Sequence, residues 1–146
     1  MNSDEYLASI HLALVETAIV TRYEVVRQRV TSQSGYLRVR IELTNGDFLE
    51  AAEFFRLTVD GVDVVGYRHQ WMDASRTQLR ARWDNASHHL ALDGAPYHCH
   101  DGDETHVVPS RPLSIQDVLG FIAHKIADKQ GGPYKSPAGH LRGFSC

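Results

Sequence analysis

The clearest pattern along this chain is a strict alternation of apolar and polar side chains between residues 36 and 43. The apolar positions are Leu37, Val39, Ile41 and Leu43, and Tyr36, Arg38, Arg40 and Glu42 separate them. Because successive side chains of a strand point to opposite faces of a sheet, this alternation predicts a strand with one buried face. The Asn45-Gly46 pair that follows is typical of a tight hairpin turn, since both residues tolerate positive φ. The pattern therefore predicts a hairpin, with a partner strand at about 47–57.

Three further segments complete the predicted sheet. Residues 19–30 are rich in Val, Thr and Tyr, which favours a strand, and further strands are predicted at about 62–72 and 77–85. The connections are short, at Asp60-Gly61 and at residues 73–76, so consecutive strands should be antiparallel neighbours. Residues 86–110 show no periodicity and are predicted to form a loop with room for one short strand.

Apolar residues at helical spacing predict one helix at each end of the chain. The first is expected at about 4–17, with Asn2 or Ser3 as its cap. The second should begin at the capping-box variant Ser114-Ile115-Gln116-Asp117 and end at Gly131-Gly132-Pro133. The predicted fold is α+β, an antiparallel meander of about five strands with both helices packed on one face. Residues 1–130 are predicted to form a single domain, and residues 131–146 a weakly ordered tail.

Composition and charge narrow the function classes. The net charge of −3 argues against a protein that coats nucleic acid generally, but ten of the twelve arginines lie between Arg22 and Arg82. Arginine suits phosphate and carboxylate groups, although strand surfaces also use it for solubility and cross-strand pairing. No charged-then-apolar leader is present and the apolar runs are too short for a membrane span, so we expect a cytoplasmic protein without membrane contact.

The densest polar chemistry lies between residues 80 and 100. Four of the nine histidines fall there, and the candidate catalytic residues are Arg82, Asp84, His88, His89, His98 and His100. If Ala74-Ser75 forms the turn between the last two predicted strands, His69 lies opposite Arg80 and shares a face with it. That face would carry the candidate substrate-binding residues Tyr67, His69, Trp71 and Arg80. Arginines hold phosphates and aromatic rings stack on unpaired bases, so such a face suits RNA, unless Tyr67 and Trp71 are core residues.

Three interpretations of the histidines remain open. RNA cleavage by the ribose 2′-hydroxyl needs only a base, an acid and a cation. His88 or His89 would transfer protons together with His98 or His100, Arg80 and Arg82 would bind the phosphate, and Asp84 would orient one imidazole. Alternatively, His98 and His100 point the same way in an extended stretch and chelate a divalent metal ion, with His88 or His89, together with Asp84, completing the shell. No helical His-x-x-x-His or Cys-x-x-Cys pair supports that spacing. The third interpretation is a polar network in a non-catalytic RNA- or protein-binding module.

Three motifs together resemble the TumE-like family of toxin–antitoxin proteins. They are Tyr67-Arg68-His69, Arg82-Trp83-Asp84-Asn85-Ala86-Ser87-His88-His89 and Pro96-Tyr97-His98-Cys99-His100. The resemblance covers about residues 35–125, with Ser87 where the family usually has proline. It implies a cytoplasmic toxin that is encoded beside an antitoxin, and it implies toxicity more than any reaction.

The leading hypothesis is therefore a toxin that cleaves RNA at its His/Arg/Asp site without an organic cofactor, with RNA as target and an antitoxin as partner. A metal-dependent nuclease or nucleotidyl-transfer enzyme, and a binding module, are the alternatives. An exposed strand at the edge of such a meander also favours a homodimer.

Overall fold

The computed structural model describes residues 1–130, in which two helices flank a run of seven strands. The elements are α1 (Ser3–Glu16), β1 (Val20–Val30), β2 (Ser34–Leu43), β3 (Phe48–Thr58), β4 (Gly61–Met72), β5 (Leu79–Asp84), β6 (His98–Asp101), β7 (Val107–Pro109) and α2 (Ile115–Gln130). Every strand is antiparallel to its neighbour in sequence order. The predicted α+β meander with an N-terminal and a C-terminal helix is confirmed. The sheet has seven strands rather than five, because the segment predicted as loop contains β6 and β7.

The tail predicted for residues 131–146 lies outside the described residues. Neither α1 nor the described part of α2 has the length and apolar character needed to traverse a lipid bilayer.

Both helices begin at the caps that the sequence predicts. The Asn2 side chain accepts a hydrogen bond from the backbone N–H of Glu5 at 2.8 Å, and the Glu5 carboxylate accepts one from the Asn2 N–H at 3.0 Å. Ser114 and Asp117 exchange the same pair of bonds, each 3.0 Å long. These reciprocal contacts satisfy backbone donors that have no partner within the first turn of a helix.

The hydrophobic core lies between one face of the sheet and the two helices. The alternating residues of β2 are buried as predicted, and Gly46 adopts a φ of 89° in the hairpin turn that follows. The helices contribute Leu7, Ile10, Leu14, Ile115, Val118, Leu119, Phe121, Ile122 and Ile126 to this core. Neither helix covers the opposite face within residues 1–130, and this uncovered face carries cross-strand ion pairs, such as Arg38 Nη2 to Glu50 Oε1 at 2.6 Å.

The pairing of β4 with β5 corrects one prediction. His69 was expected opposite Arg80, so that the aromatic residues of β4 would share a face with the arginines of β5. In the structure His69 lies opposite Trp83 and Trp71 lies opposite Ala81. The side chains of Tyr67, His69 and Trp71 are consequently buried on the helix-covered face, and those of Arg82 and Asp84 lie on the uncovered one.

A β-bulge is the physical reason for this difference. Met72 pairs with Leu79, whereas the next residue back along β4 pairs with Ala81, so that Arg80 is an extra residue in β5. Because side chains alternate with a period of two, one extra residue exchanges the two faces of everything beyond it. Without the bulge, the same turn would have kept the aromatic residues of β4 and the arginines of β5 on one face, as the sequence predicts.

The burial of His69 removes it from any exposed array. Its ring is fully buried, stacks on Tyr67 at a centroid distance of 5.4 Å, and donates from Nε2 to the carbonyl oxygen of Leu113 at 2.8 Å. Burial lowers the pKa of His69 to about 4, so the ring is neutral at neutral pH. His69 joins β4 to the segment that precedes α2 and has a structural role.

This burial predicts a loss of stability in acid. Since the pKa of His69 is about 4 in the folded chain and 6.5 without burial, the unfolded chain binds the extra proton first as the pH falls. Between pH 6.5 and pH 4 the free energy of unfolding should fall by about 3 kcal/mol on account of this group. His69→Gln keeps a donor for Leu113 but does not titrate. Urea unfolding of both proteins across this range should show a shallower pH dependence for the variant; identical dependences would contradict the assignment.

Candidate functional site

A polar cavity of about 520 Å³ lies where β4, β5 and β6 meet the loop between β5 and β6. The residues that line it are Tyr67, Arg68, Arg82, Asp84, Asn85, Ala86, His88, His89, His98 and His100. All six residues that the sequence suggests as catalytic are among them. The structure thus brings into one cavity groups that lie up to eighteen positions apart in the chain.

The pairing of β5 with β6 positions four of these side chains. Arg82 lies opposite His100 and Asp84 lies opposite His98, and directly opposed residues of an antiparallel pair share a face. Trp83 and Cys99 lie opposite each other between them and are fully buried in the core. The buried pair therefore anchors the two strands, and the alternation of each strand turns the polar residues toward the uncovered face.

The carboxylate of Asp84 is at the centre of the cluster. Its Oδ1 lies 3.0 Å from Nε2 of His98, and its Oδ2 lies 3.7 Å from Nε2 of His100 and 3.5 Å from Nε of Arg82. The backbone N–H of Ala86 also donates to Oδ1 at 3.0 Å, which fixes the side chain. Asp84 is only 6% exposed, so its charge is poorly screened by water and acts strongly on these neighbours.

Backbone carbonyl groups fix the orientation of both β6 histidines. Nδ1 of His98 lies 2.8 Å from the carbonyl oxygen of Pro96, and Nδ1 of His100 lies 3.0 Å from that of Glu104. A carbonyl oxygen only accepts, so each Nδ1 carries a hydrogen and each neutral ring presents its Nε2 lone pair to Asp84. Burial lowers the pKa of His100, and the positive charge of Arg82 lowers it further.

Arg82 is held in a fork-to-fork ion pair with Glu104. Its two terminal nitrogens lie 2.5 and 2.7 Å from the two carboxylate oxygens of Glu104. The hydrogen bonds of this pair raise the pKa of Arg82 and lower that of Glu104. The Glu104 side chain is 61% exposed whereas that of Arg82 is 13% exposed. An exposed carboxylate therefore occupies the position at which the guanidinium would bind a phosphate.

The two loop histidines differ in their contacts. The ring of His89 is half-buried, with its centroid 4.8 Å from that of His98 and 5.5 Å from that of His100. His88 lines the cavity but is exposed. The sequence gives no reason to prefer one of the adjacent pair, and the structure places His89 against the histidines of β6.

Three of the four predicted substrate-binding residues do not line the cavity. Arg80 forms an ion pair with Asp47, Nε to Oδ2 at 3.1 Å, and Trp71 Nε1 donates to the same oxygen at 2.9 Å. Asp47 is 3% exposed, so these contacts neutralise and satisfy a buried carboxylate. His69 lies in the core. Tyr67 borders the cavity, but its side chain is buried on the helix-covered face, where its hydroxyl donates to the carbonyl oxygen of Arg111 at 3.3 Å.

Sequence reasoning missed Arg68 and Glu104. Arg68 lies opposite Asp84 on β4 and gives the cavity a second guanidinium. The bulge places Arg68 opposite Asp84, whereas the predicted register put these two residues on different faces of the sheet. Glu104 lies between β6 and β7, in the segment that was predicted to be a loop, and no sequence signal connects it with Arg82.

Fold and site together define an α+β protein with a buried carboxylate, three clustered imidazoles and two guanidinium groups in a cavity on the uncovered sheet face. The family described as Toxin TumE matches residues 10–126, and the chain belongs to this family of toxins. The match includes every residue that lines the cavity, and it confirms the resemblance found in the sequence. Comparison with curated proteins and with solved structures gives no match.

Proposed function

We propose that this chain is the toxin of a toxin–antitoxin pair and that it acts in the cytoplasm by cleaving RNA in the cavity. Membership of a toxin family supports the biological class and an antitoxin as partner. The observation that carries the chemistry is the placement of Asp84 Oδ1 and Oδ2 at 3.0 and 3.7 Å from the Nε2 atoms of two histidines, beside Arg82. The proposed reaction is attack of a ribose 2′-hydroxyl on the adjacent phosphodiester.

In this mechanism His100 is the general base. Burial lowers its pKa, so at neutral pH the ring is unprotonated at Nε2 and can accept the proton of the 2′-hydroxyl. Its Nδ1–H is held by Glu104, which fixes the tautomer that the step requires.

His98 is the general acid. Its Nδ1 hydrogen is bound to Pro96, and its Nε2 lies 3.0 Å from a carboxylate oxygen, a contact that is favourable only with a proton between the two atoms. In the proposed step this proton passes to the 5′-oxygen of the leaving nucleotide. A proton acceptor and a proton donor on two neighbouring imidazoles are the arrangement that acid–base cleavage needs.

Arg82 and Arg68 supply the positive charge for the phosphate. The fork geometry of Arg82 suits two phosphate oxygens, and charge develops on those oxygens as the 2′-oxygen attacks. RNA has to displace the Glu104 side chain, which its 61% exposure makes feasible. The 11-residue strand β1 lies at an edge of the sheet, where a second copy of the chain could pair with it, so self-association of the toxin stays a prediction.

The test is cleavage of short RNA by the purified full chain in EDTA. We expect products that end in a 2′,3′-cyclic phosphate, and no cleavage of the same oligonucleotide with a 2′-deoxyribose at the scissile position. His100→Gln should slow cleavage by about 100-fold and relieve growth arrest on expression, because the general base is lost. His11→Gln, on α1 and outside the cavity, is the matched control. Saturable RNA binding without any cleavage would reject the proposal and favour a binding module.

A further inference from the structure

The histidines of the cavity also have the geometry of a metal-binding cluster. One ring nitrogen each of His89, His98 and His100 lies within 4.8 Å of the other two. Zinc with ligands at about 2.0–2.1 Å in a tetrahedron holds neighbouring ligand atoms about 3.3 Å apart. His98 and His100 are fixed on β6, whereas His89 belongs to the loop between β5 and β6 and can close this gap by rotating its side chain.

The second nitrogen of each β6 histidine is bound in the way that metal-binding histidines require. Both Nδ1–H groups donate to backbone carbonyl oxygens, at 2.8 and 3.0 Å, which orients the rings and makes Nε2 the better electron donor. The two Nε2 atoms and the two oxygens of Asp84 lie close together. All four are hydrogen-bond acceptors when the imidazoles are neutral and the carboxylate is ionised. Converging acceptors favour a cation between them, and a proton or a metal ion is small enough to take that place.

We propose that His89, His98 and His100 bind a divalent transition-metal ion of the zinc type, with Asp84 as the fourth ligand. Three imidazole nitrogens and one carboxylate oxygen favour zinc, cobalt or copper over magnesium and calcium, which prefer oxygen ligands. The sequence left His88 and His89 open as the loop ligand, and His88 is exposed and lies outside the cluster of nitrogens. The ion pair with Glu104 balances the charge of Arg82, which leaves the charge of Asp84 for the metal ion.

Metal binding has a consequence for the proposed RNA cleavage, and this part of the inference rests on that function. The ion occupies Nε2 of His98 and of His100, the atoms that carry protons in the mechanism. Zinc and proton transfer are therefore mutually exclusive, and zinc should inhibit the ribonuclease while EDTA restores it. Binding itself does not depend on the reaction.

The test is a zinc titration of the full chain, purified without nickel resin, stripped with chelator and monitored by competition with a chromophoric chelator in the absence of RNA. We expect one ion whose affinity His89→Ala lowers by at least about tenfold, since one of four ligands is lost. His88→Ala, the adjacent loop histidine, is the matched control and should leave the affinity unchanged. Magnesium should not compete. Circular dichroism of both variants checks the fold.

Three results would overturn the site. These are absence of zinc binding, an affinity that is insensitive to His89→Ala, and a larger loss in His88→Ala than in His89→Ala. The two proposals fail separately. Cleavage in EDTA by a chain that binds no zinc rejects the metal site alone, and zinc binding by a chain that cleaves no RNA rejects the ribonuclease alone.

Discussion

Replacing Asp84 by asparagine is expected to slow RNA cleavage by about 10²–10⁴-fold, the range for loss of acid–base catalysis. Asparagine has the same shape and can still accept from the backbone N–H of Ala86, so the local fold should persist. It lacks the negative charge that faces His98 Nε2. With its oxygen kept on the Ala86 N–H, its amide nitrogen takes the place of Oδ2, beside His100 Nε2 and Arg82 Nε. The proposed acid at the leaving oxygen would then lose its anionic partner, and Arg82 would lose one of its two carboxylate neighbours.

The measurement is the initial rate of cleavage by purified protein, with growth of expressing cells as a second readout. Asp63→Asn is the matched control, because Asp63 is an exposed residue of β4 outside the cavity and its change removes the same charge. The thermal unfolding midpoints of both variants should lie within a few degrees of the wild-type value. A rate for Asp84→Asn within threefold of wild type would show that the carboxylate takes no part in proton transfer.

The features that the sequence predicts well are local ones. The alternation in β2, the Asn45-Gly46 turn and the reciprocal caps at Asn2 and Ser114 depend on residues at most a few positions apart. The short strands β6 and β7 are harder to predict, because four and three residues are too few to establish a period. His98 and His100 are still recognisable as neighbours on one face, since they are two positions apart in an extended segment.

The bulge in β5 could not be predicted from its own sequence. The extra residue, Arg80, makes its ion pair with Asp47, which lies 33 positions away in the hairpin between β2 and β3. That contact satisfies a carboxylate that Trp71 also binds, so the tertiary structure stabilises a register that no local pattern specifies. The bulge also explains why the sequence does not assign Arg68 to the cavity, since its place there follows only from its pairing with Asp84.

Trp83→Ala is expected to lower the free energy of unfolding by about 3–5 kcal/mol, the usual cost of removing a large buried aromatic side chain. Trp83 is fully buried, lies opposite His69 and Cys99 on the neighbouring strands, and packs edge-on against Phe121 of α2 at a centroid distance of 5.3 Å. Its Nε1 has no hydrogen-bond partner among the described residues, so the loss is one of packing and of a cavity left behind. Domains of this size are stabilised by about 5–15 kcal/mol, and the variant would therefore retain only part of its stability.

Urea unfolding of wild type, Trp83→Ala and Trp83→Phe measures this effect. The phenylalanine variant keeps an aromatic contact with Phe121 and should lose less than the alanine variant, while Leu90→Ala, at a loop position that is 68% exposed, should change stability by less than about 0.5 kcal/mol. Because Arg82 and Asp84 flank Trp83 on the opposite face, the alanine variant should also lose activity at temperatures where wild type is still folded. A loss of stability below about 1 kcal/mol would mean that Trp83 does not anchor β5, and the placement of Arg82 and Asp84 would then need another cause.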